Sequence, residues 1–114
     1  MPWSLPEGFY KVLAILTALE LKPSLLIIDE IENSLHPETL ETIIDEIKDS
    51  GIQTILTTHS PAVVDIVEPE DLVLVERGEE GESVVRRVED PEEVKAHLRE
   101  IGITLSERWL YGKL

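Results

Sequence analysis

The feature that most constrains the fold is a strand, a helix and a second strand that follow one another in the first half of the chain. Residues 25–28 form a continuous aliphatic run, which is typical of a strand covered on both faces. The helix has Pro37 as its first residue and ends at Gly51, and residues 53–57 form a short β-branched strand. Because a strand–helix–strand unit of about 30 residues aligns its strands in the same direction, the sequence predicts an α/β fold with parallel core strands.

Helices flank these strands, and a β-hairpin is predicted towards the C-terminus. The central helix has one apolar face, formed by Leu40, Ile43, Ile44 and Ile47. Residues 9–21 are apolar nearly all round, so we expect a largely buried helix there. Predicted strands at 72–76 and 83–88 flank a loop with two glycines, and further helical segments are expected at 91–101 and 107–110. We expect these elements to form a single domain over residues 1–114.

The charge of the chain excludes some functions. The 114 residues include 24 acidic and 10 basic side chains, which gives a formal net charge of −14. Because such a chain repels a phosphate backbone, we expect no direct binding of nucleic acid. No apolar run approaches the ~20 residues of a membrane span, so we expect no membrane partner and a cytoplasmic location.

Two acidic residues follow the first predicted strand at the point where it ends. Asp29 and Glu30 come directly after the aliphatic run, and ligands of open α/β sheets bind at the carboxyl ends of the strands. A carboxylate there can hold Mg²⁺, which prefers hard oxygen ligands. A second carboxylate beside it can orient and deprotonate an attacking water. The alternative is that both acids only begin a polar loop.

A histidine follows the second predicted strand. His59 lies two residues after residues 53–57, and parallel neighbouring strands would bring it to the same sheet edge as Asp29 and Glu30. There it could donate a hydrogen bond to a phosphate oxygen or a reacting water. The alternative is a turn histidine before a helix that Ser60 and Pro61 begin. Acids and a histidine at two strand ends together favour the functional interpretation.

The motifs around these residues resemble those of a known family. The stretch LLIIDE with ENSLHP resembles the Walker B motif and D-loop of ABC-type ATPase heads, and TILTTHSP resembles their switch-histidine loop. Before them, LPEG at residues 5–8 is similar to the signature motif, and SERWLYGKL is similar to the ends of related ATPases. The closest likeness is to the branch that contains the SMC, RecF and OLD proteins. It implies the C-terminal portion of a P-loop NTPase fold of the ABC type.

The resemblance also implies roles for individual residues and for cofactors. In a complete head that binds ATP and Mg²⁺, Asp29 would position the metal, Glu30 would be the general base and His59 would sense the γ-phosphate. The residues implied to contact nucleotide are Ser4, Glu7, Gly8, Asn33 and Ser34. These are positioning and electrostatic roles, as is usual in phosphoryl transfer.

Two departures from the family pattern shape the expected activity. No G-x-x-x-x-G-K-[ST] motif occurs in the 114 residues, so the phosphate-cradling P-loop is missing from them. Pro6 occupies the position of the signature serine, and Ser4 could replace it only with a shifted loop. We therefore expect the C-terminal half of a head that is inactive alone, needs a partner half or chain bearing Walker A, and self-associates as a homo-oligomer.

Two other functions are compatible with parts of the sequence. A non-catalytic interaction module derived from such an ATPase would explain Pro6 and the missing P-loop, but it has no physical need for Asp29, Glu30 and His59. A small metal-dependent phosphohydrolase would use those three residues without a P-loop. We rank the phosphohydrolase last, because no basic residue is clearly placed to bind its phosphate.

Overall fold

The computed structural model describes residues 7–114 and divides the chain into two compact units, one ending at Val63 and the other beginning at Val64. The elements in chain order are α1 (Glu7–Glu20), β1 (Leu26–Ile28), α2 (Pro37–Ser50), β2 (Thr54–Leu56), α3 (Pro61–Ile66), a 3₁₀ turn (Pro69–Asp71), β3 (Val73–Arg77), β4 (Ser83–Arg87), α4 (Pro91–Ile101) and α5 (Leu105–Leu110). The chain is therefore mixed α/β. None of the helices between residues 7 and 114 is long and apolar enough to cross a membrane.

The first unit contains the predicted strand–helix–strand arrangement. β1 and β2 pair in parallel, with Leu26 opposite Thr54 and Ile28 opposite Leu56. The pairing continues past the strand ends, because the Thr57 N–H donates to the Ile28 carbonyl at 3.0 Å. The prediction of two parallel neighbours is confirmed, and both strands end at one edge of a small sheet.

The helix between these strands begins and ends at the predicted residues. His36 is its N-cap, and the Nδ1 atom of His36 accepts from the Glu38 N–H at 3.4 Å. Pro37 occupies the first helical position, where the missing N–H costs nothing. Gly51 ends the helix in the left-handed conformation, with φ of 71°. The apolar face is buried as predicted, at Leu40, Ile43, Ile44 and Ile47.

The first helix and the first strand are covered only in part in this chain, although their apolar patterns are typical of buried elements. In α1 only Ile15 is buried, whereas Phe9 and Leu13 are about half exposed, at 50% and 52%. Ile27, at the centre of β1, is 62% exposed and lies opposite Ile55, which is 51% exposed. The elements form where their patterns predict. However, a two-stranded sheet and a helix pair offer too few neighbours to cover every apolar side chain.

The second unit is built around the predicted hairpin. β3 and β4 pair in antiparallel fashion, with Val75 opposite Val85. Five buried side chains form the core of this unit: Val64, Leu74, Val88, Val94 and Leu105. Trp109 packs against this core, whereas Tyr111 is 76% exposed.

Side-chain caps and one ion cluster order the helices of the second unit. Asp90 caps α4 by accepting from the Glu93 N–H at 3.1 Å, and Gly102 ends that helix as predicted. Lys95 of α4 donates to Glu70 of the 3₁₀ turn at 2.9 Å. This hydrogen bond raises the pKa of Lys95 and lowers that of Glu70.

We expect the substitution Ile44→Ala to destabilise the protein by about 2–5 kcal/mol, because it leaves a cavity beside a side chain that is only 1% exposed. The matched control Ile27→Ala removes the same atoms from an exposed strand position and should cost less than about 1 kcal/mol. Urea unfolding followed by circular dichroism measures both. An equal cost for the two variants would contradict the exposure of Ile27.

Candidate functional site

One threonine links the ends of the two parallel strands to the carboxylate pair. The Thr57 hydroxyl donates to the Asp29 carboxylate, and the same Thr57 oxygen accepts from the Glu30 N–H at 2.7 Å. The Thr57 hydroxyl therefore donates to one residue and accepts from the next, and both residues directly follow β1. Asp29 is exposed and Glu30 is half-buried, so both carboxylates lie at the carboxyl edge of the sheet within reach of solvent.

The turn after β1 is anchored by Ile31, whose side chain is fully buried. Glu30 has a φ of 48°, a left-handed conformation that residues other than glycine seldom adopt. The next residue, Ile31, is 0% exposed, and its N–H donates to the Thr57 carbonyl at 3.2 Å. Burial of Ile31 offsets the cost of the left-handed residue, which is on the order of 1–3 kcal/mol. The turn therefore reverses the chain immediately after the two acids.

A third acid connects the two loops at this edge. Glu32 accepts from the His59 N–H at 2.9 Å through Oε1 and from the Thr58 hydroxyl at 3.0 Å through Oε2. The backbone of His59 is thus held beside the turn that carries Asp29 and Glu30. The His59 side chain is exposed at this edge.

The hydrogen bonds to Glu32 also set its charge state. Partial burial acts to raise the pKa of Glu32, but the backbone N–H groups of His59 and Glu32 and the Thr58 hydroxyl together outweigh it. The nearby His59 adds a smaller charge effect in the same direction, so the pKa lies below the ordinary value of 4.5. At neutral pH Glu32 is therefore an ionised acceptor with both oxygens engaged.

The first turn of α1 contacts Ser34 in the loop between β1 and α2. The Ser34 hydroxyl donates to Glu7 Oε2 at 3.1 Å. Gly8 approaches the loop so closely that an added Cβ atom would lie 2.4 Å from the Ser34 carbonyl oxygen. A backbone oxygen at that distance excludes any larger residue without displacement of the loop. The structure thus brings Glu7, Gly8 and Ser34 together.

A lysine from α1 contacts the carbonyl side of this turn. Lys11 Nζ donates to the Glu30 carbonyl at 2.8 Å and to the Asn33 carbonyl at 3.0 Å. Asn33 in turn donates through Nδ2 to the Glu30 carboxylate. Lys11 lies one helical turn after Glu7, on the same side of α1. The turn that presents two acids is therefore fixed on one side by a cation.

The structure gathers most of the predicted site residues around one edge of the sheet. Asp29, Glu30 and His59 follow the two strand ends. Glu7, Gly8, Asn33 and Ser34 surround the turn between β1 and α2. Ser4 and Pro6 lie outside the described residues.

Sequence reasoning missed four residues that shape the edge: Lys11, Glu32, Thr57 and Thr58. The available signals were the third acid in DEIE, two residues after Glu30, and the TT pair directly before His59. Neither signal identifies the residue that the side chain contacts, because the hydrogen bonds join residues that are 26–28 positions apart in the chain.

The donor set fits a Mg²⁺ ion that is shared with a nucleotide. The described residues contain no group of three or more histidine or acidic side chains arranged to hold a metal ion. Mg²⁺ is usually bound by one or two carboxylates together with waters and substrate phosphates rather than by a closed protein cage. An exposed carboxylate at a strand end, as Asp29 provides, suits that mode.

Two surface grooves have no part in this site. A groove of about 540 Å³ lies in the first unit and is lined by residues that include Leu16, Leu19, Glu46 and Asp49. Another, of about 260 Å³, lies in the second unit beside Asp65 and Lys95. Neither is lined by Asp29, Glu30 or His59, so neither is assigned to nucleotide binding.

Comparison with protein-family models identifies a matching family. The family model described as "AAA domain, putative AbiEii toxin, Type IV TA system" matches residues 2–65, more than half of the chain. The matched range contains α1, β1, α2, β2 and every residue of the site described above. No curated protein sequence matches the chain.

We expect the ionised Glu32 to stabilise the fold in a pH-dependent way. Because its pKa is lower in the folded chain than the ordinary 4.5, its contribution is present above that value and is lost as the pH falls through the folded pKa. The difference in unfolding free energy between wild type and Glu32→Gln should be about 1 kcal/mol near pH 7 and should shrink in acid. Urea unfolding across this pH range measures it, and a constant difference would contradict the charge effect.

We expect Gly8→Ala to destabilise the chain even though alanine favours helices. Alanine gains about 1 kcal/mol of helix propensity over glycine, but the clash with the Ser34 carbonyl should cost about 1–3 kcal/mol. The amide resonances of Asn33 and Ser34 should shift as the loop moves. The control Thr17→Ala, at an exposed position of α1, should leave those resonances in place. Unshifted resonances in the Gly8 variant would disprove the close approach.

Proposed function

The chain belongs to this AAA-domain family, and we propose that it is the part of an ABC-type ATPase head that supplies the metal-positioning, general-base and γ-phosphate-sensing residues. Membership makes the function ATPase-related, with general use of nucleotide and metal. The observation that carries the finer proposal is the meeting of the carboxylate pair and the His59 loop at the end of a parallel strand pair. We place the head in the branch that contains SMC, RecF and OLD proteins.

Each proposed role follows from the chemistry of the side chain and its place at the edge. Asp29 would hold Mg²⁺, which neutralises phosphate charge when it is bound with ATP. Glu30 would take the proton of the attacking water, and its carboxylate retains acceptor sites for that water beyond the one used by Asn33. His59 would donate to a γ-phosphate oxygen from its exposed side chain.

The turn residues are proposed to face a nucleotide held by an opposing head. Glu7, Gly8, Asn33 and Ser34 form a continuous surface next to Glu30, which supports a shared role. Gly8 lets α1 come close to this turn without a clash. Ser4 is included on the resemblance alone.

A second segment or chain is proposed to complete the head. The 114 residues contain no P-loop motif, so the backbone N–H groups and lysine that cradle phosphates must come from elsewhere. The exposed side chains of Leu13, Ile27 and Ile55 offer apolar surface for that segment to cover. Removing such surface from water stabilises the assembly by about 25 cal/mol per Å². Without it, we propose that the chain forms a homo-oligomer through the same faces.

A non-catalytic docking module is the second candidate. The same exposed apolar side chains of α1 and of the parallel strands favour it, because a module of this kind needs a surface rather than a reaction centre. It makes no use of the links from Thr57 to Asp29 and Glu30. The two candidates differ in whether the acids matter for turnover.

The test is ATP hydrolysis by the complete head, assembled from this chain and the P-loop-bearing segment or partner. We expect Glu30→Gln to lower kcat by about 10²–10⁴-fold, because it removes the general base. ATP should still bind, because the P-loop and Asp29 are unchanged in this variant. The 114-residue chain alone should show no turnover and no tight binding of MgATP in isothermal titration calorimetry.

The matched control is Glu41→Gln, at an exposed position of α2 away from both loops. It removes the same charge and should leave kcat within about twofold of wild type. If Glu30→Gln retained full turnover in an assembled head, the catalytic proposal would fail and the docking module would be favoured.

A further inference from the structure

We propose that Glu32 is a positioning residue that fixes the loop carrying His59 against the turn carrying Asp29 and Glu30. The inference deepens the proposed function and rests on it for the role of His59 towards a phosphate. The positioning itself depends only on contacts within this chain. Glu32 touches no reacting atom in this scheme and acts through the backbone of residues 58–59.

The geometry is a two-point clamp. One carboxylate oxygen of Glu32 accepts from the His59 N–H at 2.9 Å, and the other accepts from the Thr58 hydroxyl at 3.0 Å. Two bonds from one planar group to successive residues fix the position and the direction of that backbone. A single bond would leave the loop free to rotate about it.

The clamp extends towards the start of the following helix. Thr58 Oγ1, which donates to Glu32, also accepts from the Ser60 N–H at 2.9 Å. Ser60 Oγ then accepts from the Ala62 N–H at 3.2 Å, within the first turn of α3. His59 therefore lies between two residues that are each held by side-chain hydrogen bonds.

Two sets of hydrogen bonds join the two loops. Thr57 holds Asp29 and the Glu30 backbone, and Glu32 holds Thr58 and His59. Each loop therefore supplies a side chain that hydrogen-bonds to the other loop. Neither loop can move away from the other without breaking these bonds, so the general base and the histidine loop are coupled. A fixed separation between the base and the phosphate sensor is what positioning in phosphoryl transfer requires.

The charge of Glu32 matters for the clamp because both of its partners are donors. An ionised carboxylate is acceptor-only and can satisfy the N–H and the hydroxyl together. Glutamine has nearly the same shape but carries no charge, so its bond to the His59 N–H loses charge assistance. Its NH₂ group can meet the Thr58 hydroxyl only as a donor, so the bond that Thr58 donates to Glu32 is lost or reversed. Glu32→Gln therefore tests the clamp with little change in packing.

The experiment is amide hydrogen exchange of the nucleotide-free 114-residue chain, measured residue by residue by NMR spectroscopy. We expect Glu32→Gln and Thr58→Val each to speed exchange of the His59 amide by about tenfold or more, as loss of a charge-assisted bond predicts. Thr58→Ser keeps the hydroxyl and should restore wild-type exchange. The control Glu41→Gln should leave the His59 amide unchanged.

Each outcome decides the proposal. Exchange that speeds clearly more at residues 57–60 than at the core amides of α2 supports positioning and excludes general loss of the fold. If Glu32→Gln destabilised the whole chain, the comparison of Thr58→Val with Thr58→Ser would still decide the result. Exchange of the His59 amide within about twofold of wild type in Glu32→Gln or Thr58→Val would overturn the proposal.

The assembled head separates this proposal from the proposed function. Glu32→Gln should lower kcat by about tenfold with KM little changed, because the histidine would be misplaced while nucleotide binding is retained. If exchange responds but Glu30→Gln has no effect on turnover, the clamp is real and the ATPase role is wrong. If Glu30→Gln abolishes turnover but exchange does not respond, the ATPase role holds and the clamp is wrong.

Discussion

The parallel pairing of β1 and β2 is the constraint on which the rest of the site depends. Its register sets Ile28 opposite Leu56, so both strands end together and the next residues of each enter the same edge. Thr57 then continues the ladder through its backbone and reaches the acids through its side chain. A shift of one residue would reverse the faces of every side chain in the shifted strand and remove these contacts. The chemistry proposed here is therefore a consequence of register.

Three acidic residues lie at this edge of the sheet, in a chain that is already strongly acidic. Asp29, Glu30 and Glu32 lie within four residues, and the net charge of the whole chain is −14. The structure compensates locally with Lys11 on the turn carbonyls and with hydroxyl and N–H donors on Glu32. These groups balance the protein's own carboxylates but supply little attraction for a triphosphate. Mg²⁺ and an additional phosphate-binding segment would provide that attraction.

The first unit leaves large apolar side chains exposed, and the proposed completing segment would cover them. Ile27 and Ile55 lie opposite each other and are both exposed, and one face of α1 adds Phe9 and Leu13. Large contiguous apolar patches are rare on small monomers. The second unit differs, because its hairpin and helices enclose a core of their own.

The sequence by itself determined the elements and their ends, because the signals are local. His36–Pro37 and Gly51 bound α2 through a cap and a left-handed residue, and the length of the crossover makes the strands parallel. Only the tertiary structure decided which apolar faces are covered, since burial depends on what packs against an element and not on its own pattern. It also decided that Glu32 and Thr57 join the two loops, because such bonds depend on register and side-chain direction across some 26–28 residues.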